Sequence, residues 1–171
     1  MQRRDFLLFA ASSATLVLVT LSGCGFALRK APNFAFTTLF STLAESSPLG
    51  TELKRSLEST RKVRVITDPR LINEAQAVLD VLLDQREKVV LSRNAAGQVR
   101  EFQLRLRFRF RLRTPAGKEL IPVSEILLQR DINFNESAVL AKEAEELLLY
   151  RDMQSDVVQQ IMRRLAAVTE L

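Results

Sequence analysis

The chain has 171 residues, 47% of them hydrophobic and 26% charged, with five glycines and five prolines. This is the balance of a folded globular protein and excludes an extended disordered segment. The formal charge of +5 favours anionic partners such as phosphates or acidic surfaces. The absence of any histidine excludes a Ser-His-Asp triad, a Cys-His pair and a histidine metal site, and a single cysteine excludes an internal disulfide.

Residues 1–23 have the parts of an export leader. Arg3 and Arg4 precede a largely apolar stretch from Phe6 to Leu21, which contains Ser12, Ser13, Thr15 and Thr20. The stretch is short and interrupted for a stable span, which needs roughly 20 apolar residues. It ends in Leu21-Ser22-Gly23-Cys24, which resembles a bacterial lipobox, so Cys24 is expected to become the lipid-carrying first residue. Arg3-Arg4-Asp5-Phe6-Leu7 also resembles a twin-arginine motif, and export by either route stays open. Removal of the leader leaves 148 residues with a charge of +4. Gly25, and not aspartate, follows the cysteine, which by resemblance to the sorting rule implies transfer to the outer membrane. The covalent diacylglycerol and N-acyl lipid on Cys24 would anchor the protein durably where one acyl chain would not, and no other cofactor is expected.

Residues 24–33 read as a tether. Phe34, Phe36, Leu39 and Phe40 suggest a first short strand, and Ser46-Ser47-Pro48 leads into a helix with Leu49, Leu53 and Leu57 on one stripe. Val63, Val65 and Ile66 form a strand ending at Asp68-Pro69. Ala77, Leu79, Val81, Leu83, Val89 and Leu91 then share one parity up to a hairpin turn at Asn94-Ala95-Ala96-Gly97.

The return strand carries the most regular pattern. Phe102, Leu104, Leu106, Phe108, Phe110 and Leu112 alternate with Gln103, Arg105, Arg107, Arg109, Arg111 and Arg113. Strand geometry sends these two sets to opposite faces. Thr114-Pro115-Ala116-Gly117 is a second turn, and Glu119 to Phe134 gives a long strand whose Pro122 suits a sheet edge. Asn135 or Ser137 starts a long helix with Leu147, Tyr150, Val157, Ile161, Leu165 and Val168 on its apolar side. The expected fold is α+β: a mostly antiparallel or mixed sheet of four or five strands, with two helices packed on one face.

The arginine row at 105, 107, 109, 111 and 113 is either a solvated sheet face or a candidate partner or anion face. The guanidiniums would repel one another unless acidic groups or bound anions stand among them. Asp80 and Asp84 on the preceding strand and Glu125 on the following one are the available partners. Arg93 at the hairpin tip and Lys142 in the last helix read, by position alone, as solvent-facing cations. Carboxylates such as Glu143, Glu145 and Glu146 are candidates for an acid and base, but helix spacing puts Glu145 and Glu146 on neighbouring rather than converging positions and no nucleophile or metal cluster accompanies them, so the chain is not expected to be an enzyme.

Several segments, in order, resemble the LptE family of lipopolysaccharide-assembly lipoproteins. They are Gly23 through Arg29, Pro48-Leu49, Arg93-Asn94 with Gly97, Pro122-Val123-Ser124, Ala138 through Lys142, and Met162 through Leu165. The resemblance implies that residues 34–171 form one α/β domain that plugs the LptD β-barrel and assists its assembly. It also implies lipopolysaccharide binding, with Arg93 and Lys142 as the contacts carried over, and delivery to the outer leaflet. The expected location is the outer membrane, lipid-anchored and periplasm-facing, inside the barrel lumen. The partners are LptD, lipopolysaccharide and the membrane, with no nucleic acid. The strand at 105–113 is far more arginine-rich than the enterobacterial pattern, so the family does not assign its role. A competing reading is an accessory of another envelope machine that acts by protein contacts only.

Overall fold

The computed structural model describes residues 32–171. The leader, Cys24 and the tether up to Ala31 lie outside the described residues. Five strands and two helices follow in chain order: β1 (Thr38–Ser41), α1 (Pro48–Ser59), β2 (Arg64–Ile66), β3 (Ala77–Arg93), β4 (Val99–Arg113), β5 (Glu119–Asn133) and α2 (Val139–Ala166). Short 3-10 turns at Pro69–Glu74 and Glu136–Ala138 precede β3 and α2.

One mixed sheet has the order β2-β1-β3-β4-β5. β1 runs parallel to both β2 and β3, while β3, β4 and β5 form an antiparallel meander. The turns of the meander use their own side chains. Asn94 Oδ1 accepts from the backbone N–H of Ala96 and Gln98 at 3.0 and 2.9 Å, and Thr114 Oγ1 accepts from Lys118 N at 3.1 Å. Gly97 and Gly117 take φ of +80° and +97°, a region that side chains with a Cβ avoid.

Both helices lie on one face. Leu49, Leu53 and Leu57 of α1 and Tyr150, Met153, Val157, Val158, Ile161 and Leu165 of α2 share a single core with Leu104, Leu106, Phe108, Phe110 and Leu112 of β4. Ser47 caps α1, its side chain accepting from Gly50 N, and Pro48 occupies the first turn where its missing N–H costs nothing. On the opposite face, Phe40, Ile66, Ala75 and Val78 make a second, smaller cluster under Ile72 of the first 3-10 turn.

Three expectations are corrected. Phe34 and Phe36 are buried but precede β1, whose backbone pairing starts only at Thr38. In β3 the single parity breaks: Val81 faces Phe110 and Leu83 faces Arg109, so Leu82 is an extra residue. A one-residue bulge turns the side chains that follow it to the other face, here as far as a second register shift between Val90 and Ser92. Leu83 and Val89 therefore join the arginine side, whereas Asp84, Arg86 and Lys88 stand opposite Phe108, Leu106 and Leu104 on the helix side.

The third correction is Leu147, expected in the core but 69% exposed. α1 has 12 residues and α2 has 28, or about 18 and 42 Å of helix. α1 meets α2 at Glu52, which accepts from Gln154 and Ser155 at 2.7 Å each, and the fully buried positions of α2 begin at Tyr150. The turns before Tyr150 have no second helix over them.

Candidate binding surfaces

The arginine row lies on the helix-free face of β4, between β3 and β5, and carboxylates stand among its members. Asp80 Oδ2 accepts from the Nε of both Arg111 and Arg113 at 2.8 Å. Glu125 lies 3.4 Å from Arg107 Nε and 3.9 Å from Arg109 Nε, and Glu87 is 3.8 Å from Arg107 Nη1. Arg105 instead donates its Nε to Gln103 Oε1 at 2.7 Å, and Gln103 donates to Asp131 at 3.0 Å. The burial of Asp80 works to raise its pKa. The hydrogen bonds and charges of Arg113 and Arg111 outweigh that penalty and hold the carboxyl below its ordinary range.

Of the acidic partners expected from sequence, Asp80 and Glu125 are present in the row and Asp84 is not. The Leu82 bulge sends Asp84 to the helix side, where partial desolvation raises its pKa against the opposing charge of Arg86. The same bulge brings in Glu87, which simple alternation had assigned to the apolar set. The sequence carries no clear signal of the bulge, because both parities are polar from Asp84 to Lys88.

Arg93 and Lys142 come to the same end of the domain. Gln98, beside the hairpin tip, donates to Glu136 in the turn before α2 at 3.5 Å, and Phe134 N donates to Arg100 O at 2.7 Å. Phe102 and Phe134 meet edge to face at 5.2 Å. Lys88 Nζ lies 2.6 Å from Glu146 and over the Phe102 ring, and Tyr150 donates its hydroxyl to the Glu87 carbonyl at 2.6 Å. These contacts hold the first turns of α2 beside the distal part of β3. Arg93 is exposed, with one Nη on the Gly97 carbonyl at 3.0 Å, and Lys142 is half-buried and 2.8 Å from Glu145. The same end also exposes large apolar side chains: Leu140 (82%), Leu147 and Leu148 on the side of α2 turned away from Lys142, and Val90 and Leu91 on β3. The arrangement suits a ligand that is both anionic and apolar.

A sheet with one helix-covered face and one charged face, ending in a cationic and aliphatic rim, defines a small α+β domain built to meet partners on its surface. The LptE family model, described as lipopolysaccharide-assembly, matches residues 36–165, and the chain belongs to that family. It is 27% identical over 165 residues to the LPS-assembly lipoprotein LptE of Pectobacterium atrosepticum, covering 94% of this chain and 86% of that one. Among solved structures, lipoprotein B of Nitrosomonas europaea superposes with a TM-score of 0.70 at 35% identity, covering 84% of this chain and 91% of that one. The rare lipoprotein B of Shewanella oneidensis gives 0.61 at 27% identity, covering 77% and 93%. A minor lipoprotein of Acinetobacter baumannii gives 0.62 at 25%, covering 79% and 94%.

Proposed function

We propose that this protein is an outer-membrane lipoprotein, anchored through acylated Cys24, that plugs the LptD β-barrel, assists its assembly and binds lipopolysaccharide for delivery to the outer leaflet. Arg93 and Lys142 are the proposed lipopolysaccharide contacts. Family membership supports the assembly role. The observation that carries the binding site is the placement of both cations at one end of the domain, the end that also exposes Leu140, Leu147 and Leu148. Lipid A joins phosphates to acyl chains, so neighbouring cations and aliphatic side chains match its two chemistries. A barrel lumen is polar, and the charged sheet face of this domain is compatible with such surroundings.

The test is a pull-down of the mature chain from outer membranes together with lipopolysaccharide binding by the Arg93→Glu, Lys142→Glu variant. LptD should accompany the wild type, and the variant should bind lipopolysaccharide at least about tenfold more weakly with an unchanged far-UV spectrum. Recovery of a different envelope complex without LptD would turn the assignment to the protein-contact accessory.

A further inference from the structure

The arginine row spans about 27 Å of strand at a side-chain spacing of about 6.7 Å. Three carboxylates, Asp80, Glu87 and Glu125, pair with the five guanidiniums, and Asp131 and Glu119 flank the row on the same face. The ion pairs and hydrogen bonds within the face are made mainly through Nε. Arg105, Arg107 and Arg111 each donate Nε to an acceptor inside the face, and Arg109 turns its Nε toward Glu125. Among the described residues, no acceptor takes a hydrogen bond from the terminal nitrogens of these four side chains.

Such anchoring changes what the row can do. A free surface arginine loses considerable rotamer freedom when it binds, and a guanidinium already held at Nε has less to lose. Its two terminal N–H₂ groups remain as a fork for one carboxylate or two carbonyls. Beside this row, Leu127 and Val89 are exposed on the same face, opposite Arg107 and Gln103. Neither helix lies over this surface, because both pack on the other side of the sheet. Aliphatic groups between oriented arginines are the composition of a protein contact surface more than of a solvated one.

We propose that this face docks against the acidic face of a partner β-sheet, whose carboxylates pair with the outward ends of Arg105, Arg107, Arg109 and Arg111. The spacing selects the partner. Side chains on one face of a strand recur at the same interval of about 6.7 Å, so acidic residues two apart on a partner strand meet successive arginines in register. A helix repeats at about 5.4 Å per turn and falls out of step along the row. The outward guanidinium ends supply the complementarity, and Leu127 and Val89 supply the apolar area. The inference rests on the proposed plug role only for the identity of the sheet, the inner wall of the barrel.

The experiment expresses the full chain with the LptD barrel and compares wild type with an Arg107→Gln, Arg109→Gln, Arg111→Gln variant. Co-purified barrel should fall at least about tenfold at low salt for equal amounts of folded protein, and the wild-type complex should itself weaken as salt rises. A folded variant that retains the wild-type amount of barrel overturns the proposal, whatever its lipopolysaccharide binding. The corresponding triple lysine variant keeps the charge and removes the planar fork. It should fold and still lose most of the barrel, and wild-type recovery with lysine would overturn the paired-carboxylate geometry even if the glutamine variant misfolds. Failure of the wild-type chain to bring down the barrel would instead defeat the proposed function.

Discussion

Asp80 grips Arg113 through both carboxylate oxygens, Oδ2 at 2.8 Å from Nε and Oδ1 at 3.4 Å from Nη2. Arg111 shares the same carboxylate, whose side chain is only 13% exposed. Asp80→Asn keeps the shape and removes the charge, and should cost about 1.5–3 kcal/mol, the range for hydrogen bonds to charged groups. The folded carboxyl is held below its ordinary pKa, so its contribution is fully present above the unfolded value of about 3.9 and is lost as pH falls through the lower folded value. Denaturant titrations of wild type and variant should therefore differ at neutral pH and converge in acid. A constant gap down to the acid limit would show that charge is not what Asp80 contributes.

Phe108 is fully buried and packs beside Phe110, ring centroids 5.8 Å apart. Phe108→Ala opens a cavity between the sheet and α2 and should lower stability by about 3–5 kcal/mol. Leu147→Gln, on the helix turns that α1 does not reach, should change stability by no more than about 0.5 kcal/mol. Thermal and urea unfolding of the two variants separates core from rim, and a comparable loss in both would contradict the described packing.

Gly50 sits in the first turns of α1, where a Cβ would meet the Ala44 carbonyl at 2.8 Å and Leu43 Cβ at 3.1 Å. Alanine is otherwise the better helix former. Gly50→Ala should nevertheless destabilise, by about 1–3 kcal/mol, because the backbone of the loop before α1 must move. A rise in the unfolding midpoint would show that the loop yields freely.

Cys24→Ala removes the only thiol in the chain. The unprocessed precursor should remain in the inner membrane without acylation, seen as a larger, unlabelled band after radioactive palmitate feeding. Cleaved protein in the outer membrane would refute the lipobox reading.

The meander is legible in the sequence because its information is local. The alternation from Phe102 to Arg113 specifies which face each side chain takes, and Asn94 with Gly97 and Thr114 with Gly117 specify the two reversals. The stripe of Leu49, Leu53 and Leu57 likewise defines the buried side of α1 without reference to what covers it. Candidate cations were legible as positions, but their surroundings were not.

What tertiary structure decided is register and cover, both of which depend on a neighbouring element. The extra residue at Leu82 is visible only as a mismatch between two paired strands, and it determines that Glu87 and not Asp84 joins the arginine row. Leu147 keeps the spacing of a core residue, yet burial needs a partner, and α1 is too short to provide one beyond Tyr150. Arg93 and Lys142 are 49 positions apart in the chain. They reach one end of the domain because the β3 to β4 hairpin and the antiparallel return of β5 bring the tip back to the start of α2. Periodicity states which side of an element is apolar, whereas the lengths and offsets of the packed elements decide which part of that side meets water.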